Sequence, residues 1–158
     1  MPENAGSTPV RLLRPMQYTD LDTVVEIECA AHITPWSSAT LRECLRVGYD
    51  CELLLEHGKG MGFSIARTGP DDTELLNLCV HPDHQGGGRG QHLLDAVIAR
   101  ARRHGVERVL LDVREGNGPA RTLYAKNGFQ AIGLRPGYYG LADGGREHAV
   151  VMALLLGS

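Results

Sequence analysis

The sequence contains few cysteines, and none of them is spaced as a pair. The four cysteines are Cys29, Cys44, Cys51 and Cys79, and no two of them form a Cys-x-x-Cys motif. This spacing argues against a zinc site and against a disulfide framework. We therefore expect four reduced thiols in a cytoplasmic protein that carries no metal.

Long apolar segments and a surplus of basic residues are also absent. No segment approaches the length that spans a membrane, and the N-terminus lacks the apolar core of a signal peptide. Sixteen basic and 19 acidic residues give a formal net charge of −3, which argues against a protein that coats nucleic acid. The 158 residues show no internal repeat and suffice for one domain with a full core. We expect residues 1–9 to form a loose polar tail and residues 10–157 to form that domain.

The most informative segment covers residues 74–104 and predicts a strand, a glycine-rich turn and a helix. Apolar residues run almost without interruption from Leu75 to Val80, as in a strand that is covered on both faces. Pro82 ends the strand because proline cannot donate to a sheet ladder. A glycine-rich turn over 85–90 then leads into a helix whose apolar residues recur at helical spacing. The free backbone N–H groups at such a helix start suit a phosphate or pyrophosphate.

The spacing of the glycines narrows the choice of ligand. A P-loop requires Lys and then Ser or Thr after its last glycine, but Gln91 and His92 follow Gly90. A Rossmann fingerprint requires glycine or alanine where Leu93 stands. The pattern that fits is Gln-x-x-Gly-x-Gly, which resembles the acetyl-CoA pyrophosphate loop of the GCN5-related N-acetyltransferases. The motif alone leaves open a glycine-rich connector that binds nothing.

The remaining segments predict an α/β fold with the element order βααβββαβαββ. This order gives one domain with a mixed, mostly antiparallel central sheet flanked by helices. Ser37 or Ser38 is predicted to cap the second helix, and Asn117 to cap the fourth. Residues 56–60 are expected to form a hairpin turn, and Gly137–Gly140 a tight aromatic turn before the last strand.

Over nearly the whole chain, the order and motifs resemble the GCN5-related N-acetyltransferase (GNAT) fold and, within that superfamily, the RimI-type enzymes. The matching segments are AHITPWS at 31–37, LNLCVHP at 76–82, VRxxN at 113–117, LYxxxGF at 123–129 and the stretch from Tyr138-Tyr139 to Gly145-Arg146-Glu147. RimI-type enzymes acetylate the N-terminal alanine of small-subunit ribosomal protein eighteen. The resemblance therefore implies acetyl-CoA as co-substrate and the N-terminus of a ribosomal protein as partner, with no metal, nucleic acid or membrane. It gives no oligomeric state.

The resemblance also implies roles for individual residues. Asp112 stands where the family carries its general base, and Tyr124 where it carries its general acid. The backbone of Leu78, Cys79 and Val80 would contact the acetyl-pantetheine arm, and Asn117 would contact coenzyme A. The pyrophosphate would be held by the loop Gln85, Gly86, Gly87, Gly88, Arg89, Gly90 and Gln91.

The chain departs from the family pattern at two places. RimI-type enzymes usually have glutamate where this chain has Asp112, so the reach to the amine is shorter by about one bond length unless a water bridges the gap. Gly140 replaces a proline, and the segment from there to Arg146 is one residue longer. Purely structural roles for Asp112 and Tyr124 therefore stay open. His32 is expected to be a surface or packing residue rather than a base.

Two aromatic segments are expected to flank the acceptor side. Trp36 lies in one, either as a core anchor or as a substrate contact, and Tyr138 and Tyr139 lie in the other. Three acidic residues on or near these segments could attract a basic peptide, although Arg135 and Arg146 oppose them: Glu28, Asp143 and Glu147. Two alternatives remain at this stage, an acetyltransferase for a small-molecule amine and a non-catalytic acetyl-CoA-binding module.

Overall fold

The computed structural model describes residues 10–157, so the predicted tail at 1–9 lies outside the described residues. Within this range, strands and helices follow the predicted order βααβββαβαββ. The strands are β1 (Arg11–Pro15), β2 (Asp50–Glu56), β3 (Lys59–Thr68), β4 (Asp72–Val80), β5 (Arg108–Arg114), β6 (Gln130–Gly140) and β7 (Arg146–Leu155). The helices are α1 (Leu21–Ala31), α2 (Ser38–Arg46), α3 (Arg89–His104) and α4 (Gly118–Lys126).

The seven strands form one sheet in the order β1-β2-β3-β4-β5-β7-β6. All neighbours are antiparallel except β4 and β5, which makes the sheet mixed and mostly antiparallel, as predicted. The parallel ladder joins only Asp72–Leu75 to Arg108–Leu111. Both strands continue beyond it, β4 to Val80 and β5 to Arg114. The sheet therefore splits at its centre, and from residue 76 onward β4 is paired with β3 alone.

Helices cover both faces of the sheet. One face packs its buried strand residues against α1 and α2, with Val24, Ile27 and Leu41 in the same cluster as Phe63 and Ile65. The other face packs against α3 and α4, and its cluster is Ala66, Leu75, Leu94, Val97, Ala101, Val106, Val109, Leu111, Val113, Tyr124, Phe129, Val150, Met152 and Leu156. Each fully buried aliphatic side chain contributes about 1.5–3 kcal/mol. In the described part of the chain, no helix combines the length and apolar character needed to cross a bilayer.

The predicted caps of the second and fourth helices and the predicted hairpin between β2 and β3 are confirmed. The Ser37 hydroxyl accepts a hydrogen bond from Thr40 N at 3.1 Å, and Asn117 Oδ1 accepts one from Ala120 N at 3.2 Å. The β2–β3 hairpin turns at His57 and Gly58, both of which have positive φ, as a tight two-residue turn requires. All four cysteines lie in the described range as free thiols, in agreement with the reduced state expected.

The predicted tight turn at Gly137–Gly140 is wrong, because these residues belong to β6. Tyr139 pairs with Glu147 and Gly140 pairs with Arg146 across the β6–β7 ladder. The register shifts between Arg135 and Tyr139, where Gly137 takes a φ of 59°, so the glycine accommodates a bulge rather than a turn. The chain reverses later, where Leu141 N donates to Gly145 O at 2.9 Å.

Candidate active site

The split between β4 and β5 opens two adjoining cavities. The inner cavity, of about 270 Å³, lies between the diverging strands and is lined by Glu28, His32, Thr34, Trp36, Leu75, Leu76, Asn77, Leu78, Leu111, Asp112, Val113, Arg114, Asn117, Ala120, Tyr124, Tyr138, Tyr139 and Gly140. The loop groove, of about 490 Å³, is lined by Ala31, His32, Leu78, Cys79, Val80, Gln85, Gly86, Gly88, Arg89, Gly90, Gln91, Asn117, Pro119, Ala120, Leu123 and Lys126. The two share four residues, His32, Leu78, Asn117 and Ala120, and are therefore contiguous.

The glycine-rich loop presents backbone donors to the loop groove. Gly86 and Gly88 have φ values of 87° and 78°, which side-chain-bearing residues rarely adopt. The first helical bond of α3 runs from His92 N to Gly88 O at 3.0 Å, so the N–H groups of residues 89–91 have no acceptor inside the helix. Together with the positive end of the helix dipole, these donors suit a pyrophosphate. Of the predicted loop residues, Gly87 alone does not line the groove.

Two arginines tie this loop to the end of β2. Arg89 Nε and Nη2 donate to the two oxygens of Glu56 at 2.9 and 2.8 Å, and Arg11 Nε donates to the same carboxylate at 2.5 Å. Arg89 also bonds to the carbonyl of His84, and Arg11 to that of Gly87. The hydrogen bonds from Arg89 and Arg11 lower the pKa of Glu56. The Arg89 side chain therefore fixes the loop, and what the residue offers a ligand is its backbone N–H.

The end of β4 offers a second set of backbone groups. Leu78, Cys79 and Val80 line the loop groove, and all three lie beyond the last pair of the β4–β5 ladder. Their peptide groups on that side have no strand partner, so an extended ligand that carries amides can pair with them as an added strand would. This is the arrangement predicted for the acetyl-pantetheine arm.

Some of the polar side-chain atoms of Asn117 and Gln91 already form hydrogen bonds within the protein. Asn117 lines both cavities, but its Oδ1 caps α4. Gln91 Nε2 donates to Asn127 Oδ1 at 2.6 Å, and Asn127 Nδ2 donates back to Gln91 Oε1 at 2.9 Å. The paired amides connect the start of α3 to the end of α4 and so fix both walls of the loop groove.

Asp112 and Tyr124, the predicted base and acid, both line the inner cavity. Asp112 lies on β5 with its side chain 27% exposed, and its Oδ2 accepts a hydrogen bond from Arg135 on β6 at 3.0 Å. Tyr124 lies on α4 and is buried, with its ring centroid 5.6 Å from that of Phe129. Burial, followed by the nearby Tyr139 and Cys79, raises the pKa of the Tyr124 hydroxyl, so this group keeps its proton at neutral pH.

The three predicted substrate-binding aromatics also line the inner cavity. Tyr138 and Tyr139 pack edge to face with their centroids 5.0 Å apart. The guanidinium of Arg135 lies 4.0 Å from the centre of the Tyr138 ring, and that of Arg114 lies 4.3 Å from the centre of the Tyr139 ring. Burial, followed by the charge of Asp112, raises the pKa of Tyr139 to about 12. Trp36 packs on the α1–α2 core and also lines the cavity.

The loop between α1 and α2 lines the inner cavity and touches the end of β6. The Thr34 hydroxyl donates to Gly140 O at 3.1 Å and accepts from Arg114 Nη2 at 3.2 Å. The two segments predicted to flank the acceptor side therefore hold each other in place.

Sequence reasoning misjudged Glu28, which is fully buried and cannot attract a peptide from solvent. Its Oε2 lies 2.9 Å from His32 Nδ1 and accepts from Trp36 N at 2.9 Å, and its Oε1 accepts from Asn77 Nδ2 at 3.0 Å. Burial opposes ionisation, but these hydrogen bonds outweigh it and lower the pKa of Glu28. A signal was present, since Glu28 follows Val24 by one helical turn and so continues the buried face of α1.

His32, which was expected to be a surface or packing residue rather than a base, is partly exposed and lines both cavities. Its partner Glu28 lies near Cys79 as well, and ligand atoms of the three residues lie within 4.8 Å of one another, close enough to surround a metal ion. Both Glu28 oxygens already accept hydrogen bonds, and burial raises the pKa of the Cys79 thiol well above its ordinary value. These features favour a hydrogen-bonded cluster over a metal centre.

Comparison with known proteins gives a consistent result. The Acetyltransferase (GNAT) family model matches residues 21–129. The [ribosomal protein bS18]-alanine N-acetyltransferase of Haemophilus influenzae is 39% identical over 145 residues, which cover 92% of this chain and 99% of that protein. The crystal structure of the ribosomal-protein-S18-alanine N-acetyltransferase of Escherichia coli is similar with a TM-score of 0.87 and 34% identity, covering 94% of this chain and 96% of the other.

A third similarity concerns the fold alone. A Salmonella typhimurium protein solved with its cofactor acetyl-CoA has a TM-score of 0.76 at 23% identity, covering 94% of this chain and 95% of that one.

Proposed function

The chain belongs to the GNAT acetyltransferase family and is an acetyl-CoA-dependent N-acetyltransferase, and from this premise we propose that it acetylates the N-terminal α-amino group of ribosomal protein bS18, at alanine. The observation that carries the proposal is the similarity to the Haemophilus enzyme, which extends over 92% of this chain and 99% of that protein. We place the reaction in the cytoplasm, where ribosomal proteins are made. Family membership sets the non-catalytic binding module aside.

The residues of the loop groove fit acetyl-CoA. The donors of residues 89–91 would hold the pyrophosphate, and the unpaired edge of β4 would hold the pantetheine amides. The bound co-substrate supplies an acetyl group activated as a thioester. Its reactive end would lie where the two cavities meet, so that an amine in the inner cavity can reach it.

Asp112 and Tyr124 are the proposed acid–base pair. The α-amino group of a peptide has a pKa of about 7.7–8.0, so much of it must lose a proton before it can attack. Asp112 would accept that proton after exchanging Arg135 for the incoming ammonium, or through a bridging water. Tyr124 keeps its proton at neutral pH and can donate it to the departing sulfur, whose thiol has an ordinary pKa of about 8.5.

Thiol release combined with mass spectrometry of the product tests the proposal. The substrates are a peptide with the N-terminal sequence of bS18 beginning at alanine, the same peptide with its N-terminus blocked, and polyamines. We expect one acetyl group on the free N-terminus and none on the blocked peptide. Equal reaction of the blocked peptide would place the acceptor on a side chain, and reaction of polyamines alone would favour the small-amine alternative.

A further inference from the structure

His32 lies at the junction of the two cavities. It follows the last residue of α1 and is one of the four residues that line both the inner cavity and the loop groove. The other three, Leu78, Asn117 and Ala120, carry no titratable side chain. An amine in the inner cavity and a thioester in the loop groove must meet at this junction. A group that exchanges protons there is well placed to act on the reacting atoms.

Glu28 holds the His32 ring in one orientation. Glu28 is itself fixed by the Trp36 backbone and by Asn77, and its Oε2 lies 2.9 Å from His32 Nδ1. A carboxylate in this position keeps a proton on Nδ1 and leaves the lone pair on Nε2. Among residues 10–157, His32 Nε2 has no hydrogen-bond partner, and the side chain is 32% exposed. An imidazole oriented from behind by a carboxylate is a recurrent general-base arrangement.

The proton balance of the reaction calls for a second acceptor. The attacking ammonium loses two protons while the C–N bond forms and the C–S bond breaks, and the sulfur gains one. Asp112 accounts for the first proton and Tyr124 for the one given to sulfur. We propose that His32, oriented by Glu28, accepts the second proton from the attacking nitrogen. This proton then returns to Tyr124, so that one proton in total leaves to solvent. The inference rests on the proposed function for the identity of the amine and for the roles of Asp112 and Tyr124.

Charged and titratable groups from several elements surround this junction. Glu28 on α1 and Asp112 and Arg114 on β5 line the inner cavity, and Arg89 on α3 and Lys126 on α4 line the loop groove. The remaining titratable groups are uncharged at neutral pH, since burial raises their pKa values: Cys79, Tyr124 and Tyr139. Tyr138 also lines the inner cavity.

The kinetic test compares His32→Gln, which keeps the size and polarity of the side chain, with His104→Gln at the exposed end of α3. We expect His32→Gln to lower kcat by about 10²-fold, to leave KM for acetyl-CoA within about twofold, and to change the shape of the pH profile of kcat. His104→Gln should match the wild type. An unchanged kcat and pH profile in His32→Gln would overturn the proposal.

Chemical rescue separates proton transfer from a packing role. His32→Ala leaves space for free imidazole, and we expect imidazole to restore activity to this variant but not to Tyr124→Phe. No rescue at imidazole concentrations that leave the wild type unaffected would contradict the base role.

A measurement without turnover is available as well. Nitrogen NMR of the free enzyme should show the His32 ring protonated on Nδ1 and unprotonated on Nε2. The opposite tautomer would overturn the proposal.

These results are independent of the acceptor. If the wild-type enzyme acetylates only polyamines, the proposed protein substrate is wrong, and the same variants assayed with polyamines still decide the role of His32. If the bS18 peptide reacts and His32→Gln is as active as the wild type, the function stands and the inference about His32 fails.

Discussion

Tyr124 is the residue whose chemistry can be tested with the smallest change. Tyr124→Phe removes one hydroxyl from a buried ring that also packs on Phe129, so the fold should be preserved. We expect kcat to fall by about 10²–10⁴-fold, the range for one acid–base group, with little change in the affinity for acetyl-CoA. Steady-state kinetics and calorimetry measure the two quantities separately. A matching loss of cofactor affinity would instead assign Tyr124 to binding.

Asp112 presents a sharper choice, because its carboxylate already pairs with Arg135. If it is a base, Asp112→Asn should lower kcat by about 10²–10⁴-fold, whereas Asp112→Glu, which restores the family's reach, should keep or raise it. Arg135→Gln is the control, since it frees Asp112 without removing it and should leave activity near or above the wild-type level. Near-wild-type turnover in Asp112→Asn would give the carboxylate a structural role.

Glu28 should also affect stability in acid. Its pKa is lowered in the folded state despite burial, because His32, the Trp36 backbone and Asn77 hydrogen-bond to it. The stability it contributes is present above the ordinary glutamate pKa of about 4.3 and is lost as the pH falls through the lower folded value. We therefore expect the free energy of unfolding, measured with urea, to fall more between pH 6 and pH 3.5 in the wild type than in Glu28→Gln. The exposed Glu107→Gln should behave like the wild type.

At the scale of single residues, the sequence predicts which residues are candidates for the site better than it predicts the contacts and burial of their side chains. Asp112 and Tyr124 could be found because they stand at fixed offsets in recognisable motifs. The pairing of Asp112 with Arg135 could not, since it crosses from β5 to β6 and depends on the sheet order. Glu28 was judged by residue type rather than by its position on the buried face of α1.

The element that binds the co-substrate is the loop between β4 and α3, and its conformation depends on glycine. Gly88 has a φ of 78° and lines the loop groove. Gly88→Val should weaken acetyl-CoA binding, because a β-branched residue resists positive φ and crowds the donors of α3. Gly105→Val is a matched control, since Gly105 has a φ of 74° at the opposite end of α3 and lines neither cavity. Calorimetry should show a reduced affinity for acetyl-CoA only in Gly88→Val. If the wild type bound ATP or NAD as tightly as acetyl-CoA, the assignment of this loop to acetyl-CoA would be contradicted.

The sequence predicts a secondary-structure element correctly where residues nearby in the chain determine it. It fails where pairing with a distant strand determines the conformation. Helix caps at Ser37 and Asn117 depend on neighbours three residues away, and both were predicted. The aromatic stretch Gly137–Gly140 contains two glycines and was therefore predicted to turn, yet its pairing with β7 keeps it in a strand. The Arg11–Glu56–Arg89 contacts join residues 45 and 33 positions apart, which no local pattern reveals.

On the scale of the whole molecule, the divergence of β4 and β5 in the sheet creates the candidate site. The element order predicted the sheet and its helices, but an apolar run does not reveal where a parallel ladder stops. The ladder stops at Leu75 and Leu111, and this one feature exposes the β4 edge and creates both cavities. Asp112 and Tyr124 line the cavity that results.

The surface charge around the inner cavity sets a limit on peptide selectivity. Of the three acidic residues expected to attract a basic peptide, Glu28 is buried and Glu147 bonds to Arg114 and to Gly116 N, whereas Asp143 is exposed in the turn before β7. A single exposed charge pair contributes about 0–1 kcal/mol, and salt screens it. We therefore expect peptides that begin Ala-Arg to exceed matched Ala-Gln peptides in kcat/KM by about fivefold or less at low salt.

Two further measurements decide whether Asp143 accounts for this preference. The difference between the peptides should fade as the salt concentration is raised towards 1 M, and Asp143→Asn should remove most of it without changing kcat on either peptide. Asp71→Asn, on the exposed turn before β4, is the control and should keep the preference. A preference of a hundredfold, or one that persists in high salt, would require a buried charge pair with the peptide. The acidic partner would then have to come from inside the cavity, and Asp112 freed from Arg135 would be the first residue to test.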